Sequence, residues 1–242
     1  ILFGFATQWA DLQADVSAIV DATGKPPAIY QSFWALEAGY TNAEWTDILD
    51  SYGVLGMTPY IELTTDDMNA FLTGARDSEL DQIVSVIDAW TAAAAGRYVL
   101  MAPFPEANLV EHPWGGDGND YQVGYRRVHD AFAAAGVGGD RVRFVFAMNG
   151  FSSSGLSYDQ FYPGDEVVDI VGFAKLNRGG ANFRDYEETF VRHIEEMQES
   201  VTRVKPLLIT QTGSVDDEYV DQEAWIEEMF SRLPTESQVI GA

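Results

Sequence analysis

The sequence contains no cysteine, which excludes disulfide bonds and metal sites built on thiolates. Basic residues are also scarce: 14 Lys and Arg stand against 38 Asp and Glu, and the net charge is −24. Proteins bind phosphate backbones through basic patches, so we expect no nucleic acid partner. A charge of this size repels itself in dilute buffer and is screened at high salt. Both an ordinary acidic secreted protein and a halophilic, salt-adapted one therefore remain open.

Several sequence motifs are missing as well. No run of 18 apolar residues occurs, so we expect no membrane-spanning helix and no membrane partner. The turn after the first apolar segment reads ATQWADLQ and lacks the GxGxxG loop of dinucleotide-binding sheets. No HExxH, GxSxG or Walker motif is present, and we expect no cofactor and no metal. The first residue is Ile1 rather than Met, so we expect N-terminal processing or trimming.

Eight short apolar segments alternate with segments of helical periodicity. The predicted strands are Ile1–Thr7, Ala28–Trp34, Val54–Leu63, Arg97–Phe104, Arg141–Asn149, Val167–Ala174, Pro206–Gln211 and the terminal SQVIGA. Continuous apolar strands are typical of a parallel sheet that is covered on both faces. Eight such units in 242 residues predict a (β/α)8 barrel, with residues 1–242 forming one catalytic domain. A doubly wound open sheet is the alternative.

In barrels of this kind the chemistry lies at the carboxyl ends of the strands. The side chains predicted to lie there are aromatic, acidic or amide-bearing: Trp34, Glu62, Glu106, Asn108, Glu111, His112, Trp114, Asn149, Tyr162 and Gln211. Sugar rings stack on aromatic faces, and their hydroxyls pair with carboxylates and amides. Cleavage of a glycosidic bond requires two carboxyl groups that flank it. This set therefore favours a polysaccharide over a nucleotide or a phosphate ester.

Four motifs occur in order along the chain: PEAN with HPWGG, YRRVHDAFAAAG, FYPGDEVVDIVG and KPLLITQTGS. Together they resemble glycoside hydrolase family 26, which contains β-mannanases, mixed-linkage β-glucanases and β-1,3-xylanases. The resemblance implies a retaining (β/α)8 enzyme with its acid/base at Glu106 and its nucleophile position at Gln211. Asn108 matches the asparagine that follows the acid by two residues. Pro105, Ala107 and Leu109 depart from the mannanase pattern.

The resemblance implies a secreted endo-β-glycanase that acts on a β-linked polysaccharide or oligosaccharide. Substrates considered are β-mannan, which is favoured, mixed-linkage β-glucan and β-1,3-xylan. The predicted subsite residues are Trp34, Glu62, Asn108, His112, Trp114, Asn149 and Tyr162, and we expect a monomer. Phe33 and Trp34 alternate along one strand, so only one of them is expected to face the site.

An amide at position 211 conflicts with the retaining mechanism, because an amide is a poor nucleophile. Three explanations are open. A glutamate was changed to Gln211 to trap substrate, or the glutamine is natural and the barrel is an inactive glycan-binding protein. Alternatively, another carboxylate such as Glu62 or Glu111 does the work. A polysaccharide-modifying enzyme of different chemistry, such as a lyase, is a further alternative.

Other polar residues have plainer interpretations. His129 and His193 lie in predicted helices, and we expect structural roles for both. The stretch GGDGND, residues 115–120, carries oxygen ligands but lacks the spacing of an EF-hand. We therefore interpret it as a polar turn.

Overall fold

The computed structural model describes residues 2–5, 12–218 and 220–242. Eight strands are present in this part of the chain. They are β1 (Gly4–Phe5), β2 (Ile29–Ala35), β3 (Thr58–Thr64), β4 (Val99–Pro103), β5 (Val142–Asn149), β6 (Ile170–Asn177), β7 (Leu207–Ser214) and β8 (Val239–Gly241).

All eight strands are parallel and neighbour one another in sequence order, from β1 to β8. The last strand meets the first one. Leu2 N donates to Ile240 O at 2.7 Å, Gly4 N donates to Ala242 O at 3.0 Å, and Ala242 N donates to Leu2 O at 3.1 Å. The sheet is thus closed on itself, and the prediction of a (β/α)8 barrel is confirmed.

Helices connect most of the strands. They are α1 (Leu12–Thr23), α2 (Asn42–Val54), α3 (Met68–Leu72), α4 (Asp77–Ala92), α5 (Gly118–Ala134), α6 (Arg192–Ser200) and α7 (Gln222–Arg232). Within the described residues, the β5–β6 connection has a single 3-10 turn, Tyr158–Gln160, in keeping with its Gly and Ser content. None of these helices is long and apolar enough to cross a bilayer.

The strands are apolar on both faces because each face meets its own core. Toward the barrel axis lie Ile29, Tyr60, Leu100, Ala102, Val145, Ala147, Ile170 and Leu208. The opposite face packs against the helices and forms the larger core, which includes Trp34, Ile61 and Phe146. The continuous hydrophobicity of the sequence follows directly from this two-sided burial.

Two sequence predictions need correction at the level of the fold. The helix α2 is absent from the predicted elements, although Thr41 and Glu44 form a capping box at its start. The third strand was predicted to begin at Val54, but Val54 is the last residue of α2 and is 86% exposed. In the predicted strand Ile1–Thr7, residues 1, 6 and 7 lie outside the described residues, as does most of the turn ATQWADLQ.

Candidate active site

The turn that follows β4 carries Glu106 at the carboxyl end of the barrel. Phe104 and Glu106 both have positive φ, 53° and 56°, a region that residues with a Cβ rarely adopt. Each holds a backbone hydrogen bond to a neighbouring strand. Phe104 N donates to Leu63 O in β3 at 2.8 Å, and Glu106 N donates to Ala147 O in β5 at 2.8 Å. The turn is therefore strained and fastened on both sides, as is common at functional sites.

The Glu106 carboxylate is oriented by two neighbours. Asn149 Nδ2, at the end of β5, donates to Glu106 Oε1 at 2.7 Å. His112 Nε2 lies 3.5 Å from Glu106 Oε2. The side chain is 20% exposed, so it combines a fixed geometry with access to a ligand. The prediction that Glu106, His112 and Asn149 share one site agrees with these contacts.

Asn108 is a positioning residue rather than a substrate contact. It is fully buried. Its Nδ2 donates to Asn149 O at 2.7 Å and to Phe151 O at 3.3 Å, and its Oδ1 accepts from Asn149 N at 2.9 Å. The prediction of a sugar contact at Asn108 is therefore wrong, because its polar atoms already hold the end of β5 against the β4 turn.

Trp114 supports His112 from behind. The two rings stack with centroids 4.7 Å apart and an angle of 7°, and Trp114 Nε1 donates to Pro105 O at 2.7 Å. Trp114 does not line the cleft described below. The structure therefore does not place Trp114 where a sugar platform is predicted, since His112 covers one face of the indole and lines the cleft in its place.

Gln211 faces the barrel axis because β7 contains a bulge. Phe173 pairs with Ile209 and Ala174 pairs with Gln211, so Thr210 is the extra residue. In a regular strand, Gln211 would point to the same side as Ile209, which packs against the helices. The bulge reverses the alternation and turns the Gln211 side chain inward.

Glu62 lies on the barrel axis directly beside Gln211. Gln211 Nε2 donates to Glu62 Oε2 at 3.1 Å, and Tyr60 Oη donates to Glu62 Oε1 at 3.0 Å. Burial raises the pKa of Glu62 from 4.5 to about 7, and the nearby Glu106 adds to the effect, while the hydrogen bonds oppose it. Glu62 is only 1% exposed, so it holds position 211 from below and does not reach a substrate.

Glu111 is the other carboxylate considered as an alternative to position 211, and it does not line the cleft described below. It is exposed, and its Oε2 accepts a hydrogen bond from Ser153 Oγ at 2.7 Å.

Glu106 and Gln211 line the same cleft, which has a volume of about 580 Å³. It opens at the carboxyl ends of the strands. The side chains that line it are Glu106, Leu109, His112, Asn149, Phe151, Ala174, Lys175, Leu176, Arg178, Asn182, Arg184 and Gln211. The two positions suggested for acid/base and nucleophile thus line one cleft, Glu106 from the turn after β4 and Gln211 from β7.

Two predicted aromatic contacts lie elsewhere. Trp34 is completely buried and stacks on Trp45 of α2, with ring centroids 4.0 Å apart. The prediction for Trp34 is wrong, and Phe33, which is 60% exposed, faces the barrel mouth instead. Tyr162 packs on Phe146 in the outer core and donates to Asp165 Oδ1 at 2.6 Å.

The loop that holds Tyr162 belongs to the opposite end of the barrel. Lys205, just before β7, donates to Asp165 O at 2.8 Å. Residues that precede parallel strands lie at the amino end of the barrel, away from the cleft. The prediction that Tyr162 contacts sugar is therefore wrong.

Several residues that line the cleft are absent from the predicted site. Phe151 is 63% exposed and lines the cleft with its aromatic side chain. Lys175, Arg178 and Arg184 line it as well. The residues KLNR directly after the apolar part of β6 were a visible signal, but no motif attached a function to them.

Within the described residues, no three His, Asp or Glu side chains are grouped as a metal site requires. In GGDGND, Asp117 caps α5, with its Oδ1 accepting from Asn119 N and Asp120 N at 2.9 and 3.1 Å. His193 is buried against Tyr158 and Phe173. Burial and the charge of Lys175 lower the pKa of His193 to about 4, which fits a neutral structural residue.

No protein-family model and no curated protein sequence matches this chain. Solved structures do resemble it. A modular endo-β-1,4-mannanase of glycoside hydrolase family 26 from Cellulomonas fimi aligns over 100% of this chain, with a TM-score of 0.73 and 17% identity. A family 26 β-mannanase from Bacteroides ovatus aligns over 88%, with 0.66 and 17%. A family 39 β-xylosidase from Caulobacter crescentus aligns over 98%, with 0.68 and 16%.

The chain covers 64% of the Cellulomonas mannanase, 72% of the Bacteroides mannanase and 60% of the xylosidase. It therefore spans less than two thirds of the first and the last of these proteins. At such identities the likeness concerns the backbone architecture. The chain has the (β/α)8 fold that these glycoside hydrolases share.

Proposed function

We propose that the cleft binds a β-linked polysaccharide and is arranged as the site of a retaining endo-β-glycanase. Glu106 is the acid/base, and position 211 is the nucleophile position. The observation that carries the proposal is the convergence of Glu106 from β4 and Gln211 from β7 on one cleft. The resemblance to family 26 motifs and the shared fold support the same arrangement.

The contacts of Glu106 suit its proposed role. Asn149 fixes one carboxylate oxygen and His112 lies near the other, so the proton would be delivered in a defined direction. In the first step Glu106 would protonate the oxygen of the leaving sugar, and in the second step it would activate water. The amide of Gln211 does not form the glycosyl-enzyme ester, so this chain would bind substrate and cleave it very slowly.

Substrate and location are part of the proposal. Among neutral polymers, β-mannan is the first to test, followed by mixed-linkage β-glucan and β-1,3-xylan. A polymer substrate implies action outside the cell, and the charge of −24 suggests that activity be assayed at both low and high salt.

The test is the substitution Gln211→Glu, assayed by release of reducing ends from each polymer. Loss of a nucleophile costs about 5 kcal/mol in activation free energy, so restoring it should raise kcat/KM by roughly 10³-fold or more. The matched control adds Glu106→Gln to Gln211→Glu and should return the rate to the background. Absence of cleavage by Gln211→Glu, in a folded protein that binds the polymer, would contradict the catalytic part of the proposal.

A second candidate function is a glycan-binding barrel without catalysis. The observation that favours it is the bond from the Gln211 amide to the buried Glu62 carboxylate. A glutamate at position 211 would bring two carboxyl groups together, and like charges at that separation do not both ionise. If Gln211 is the native partner of Glu62, Gln211→Glu should bind glycan without cutting it.

A further inference from the structure

The few cations of this acidic chain are not spread evenly. The sequence has only 14 Lys and Arg residues, yet Lys175, Arg178 and Arg184 all line the candidate cleft. Arg192 lies in the adjoining pocket, which Lys175 and Arg184 also border. We call Lys175, Arg178 and Arg184 the cationic wall. Among the residues that the structure describes, Glu106 is the only carboxylate that lines the cleft with them.

The cationic wall is not neutralised by the protein. Elsewhere in the described chain, seven arginines form ion pairs with carboxylates: Arg76, Arg97, Arg126, Arg127, Arg141, Arg143 and Arg232. No carboxylate within residues 2–5, 12–218 and 220–242 forms an ion pair with a member of the wall. Among the described residues Lys25, Arg192, Arg203 and Lys205 are likewise in none of these ion pairs, so what distinguishes the wall is that its three unpaired cations line one cleft together.

The members of the wall also repel one another. Lys175 is partly buried, and its Nζ donates to Gly150 O at 3.0 Å. Burial lowers its pKa, and the charges of Arg184, Arg192 and Arg178 lower it further. Glu188 opposes this effect from the adjoining pocket, which Glu196 also borders. An anion placed in the cleft would relieve this repulsion, since it would supply the charge that the protein omits.

We propose that the glycan bound in this cleft carries a negatively charged sugar, whose anionic group contacts Lys175, Arg178 and Arg184. The group is a uronate carboxylate or a sulfate ester. Guanidinium groups bind either one through paired hydrogen bonds, and such charge-assisted bonds are among the stronger ones in proteins. The inference rests on the proposed function of the cleft and narrows its substrate class from β-linked polysaccharides in general to acidic β-glycans.

Long-range repulsion does not exclude an acidic ligand. The net charge of −24 repels an anionic polymer at a distance, but at 0.1 M salt this field is screened over about 10 Å. Close contacts with the cationic wall are screened less. Affinity for an acidic oligosaccharide should therefore rise from very low to moderate salt, and fall only when salt competes for the wall itself.

The experiment is calorimetric titration of this chain at 0.1 M salt, where Gln211 keeps the ligands intact. Three probes share one backbone: β-1,4-mannotetraose, its uronate counterpart β-1,4-tetramannuronate, and 6-O-sulfated mannotetraose. At least one acidic probe should bind about tenfold more tightly than mannotetraose. The stronger of the two acidic probes identifies the anionic group.

Substitutions in the cationic wall test whether its arginines cause the preference for acidic probes. Arg178→Gln and Arg184→Gln should each weaken the acidic probe by about five- to tenfold and change mannotetraose less than twofold. Arg203→Gln is the matched control, because Arg203 lies before β7 at the other end of the barrel and is also outside the ion pairs. If Arg203→Gln lost as much affinity for the acidic probe, the assignment of the anion site to the cationic wall would be overturned.

The outcomes separate the two proposals. Binding of mannotetraose as tight as that of both acidic probes would overturn the inference and leave the proposed function standing. Failure of all three probes, together with failure of the other β-glycans, would overturn both.

Discussion

The buried carboxylate of Glu62 should make the free energy of unfolding fall as pH rises. The substitution Glu62→Gln should remove this dependence. In the folded chain the pKa of Glu62 rises from its ordinary value of 4.5 to about 7, mainly through burial. Below pH 4.5 the carboxyl is protonated in both the folded and the unfolded state. Between pH 4.5 and 7 the unfolded state loses this proton first, so the free energy of unfolding falls as pH rises.

The size of the effect follows from the two pKa values. Each pKa unit corresponds to about 1.4 kcal/mol, so this group should remove about 3 kcal/mol from the free energy of unfolding between pH 4.5 and 8. Glu62→Gln carries no charge; its amide oxygen can accept from Tyr60, and its amide N–H can donate to the Gln211 side chain once the Gln211 amide turns its oxygen toward it. The variant should therefore match the parent near pH 4.5 and exceed it by up to about 3 kcal/mol at pH 8.

The assay is urea unfolding of both proteins from pH 4.5 to 8 at 0.5 M salt. The difference between them cancels the contribution of the remaining carboxylates, which is large in a chain of charge −24. Glu227→Gln, which removes an exposed charge from α7, controls for the change in net charge. A difference between parent and Glu62→Gln that stays flat with pH would refute the reasoning, as would one that favours the parent at pH 8.

Three further substitutions test how the site is supported. Asn108→Ala removes three hydrogen bonds from a fully buried position and should lower the free energy of unfolding by about 2–3 kcal/mol in urea titrations; an unchanged midpoint would contradict the positioning role. Phe151→Ala should weaken oligosaccharide binding about tenfold in calorimetry, with little change in Tm, because an exposed aromatic ring in the cleft contributes mainly to ligand stacking. Trp34→Ala should do the reverse, costing about 3–5 kcal/mol of stability while the folded fraction binds normally; a selective loss of binding would restore Trp34 to the site.

The barrel could be predicted because most of its strands are marked by a continuous run of apolar residues. The strands β2 to β7 are largely buried on two faces, so a continuous apolar run marks each of them even when its ends are misplaced. Glu106 and Gln211 were accessible for the same reason, since each follows or ends such a run. The helix α2 is absent from the sequence prediction although its sequence holds a capping box at Thr41 and Glu44, and the predicted third strand took in its last residue, Val54.

The direction in which each side chain points could not be predicted, because it depends on strand register and loop path rather than on residue type. Phe33 and Trp34 are adjacent aromatics, and only the strand register decides that Phe33 faces the mouth and Trp34 faces α2. Tyr162 lies in a long connection whose path is set by contacts with Asp165 and Phe146. Two members of the cationic wall, Lys175 and Arg178, lie together in the segment KLNR, but the sequence does not show that they and Arg184 line the same cleft as Glu106.

The extra residue Thr210 divides β7 into two halves, and the residues that face the barrel axis are even-numbered in the first half and odd-numbered in the second. Before Thr210 the even-numbered Leu208 points inward; after it the odd-numbered Gln211 does. A one-residue deletion at Thr210 would remove the bulge and place Gln211 directly after Ile209, so the amide would still face the barrel axis, whereas a regular strand that kept Thr210 would turn it outward. An alignment of this strand with one that lacks the bulge therefore has to place its gap at Thr210, so that the inward-facing positions on both sides correspond.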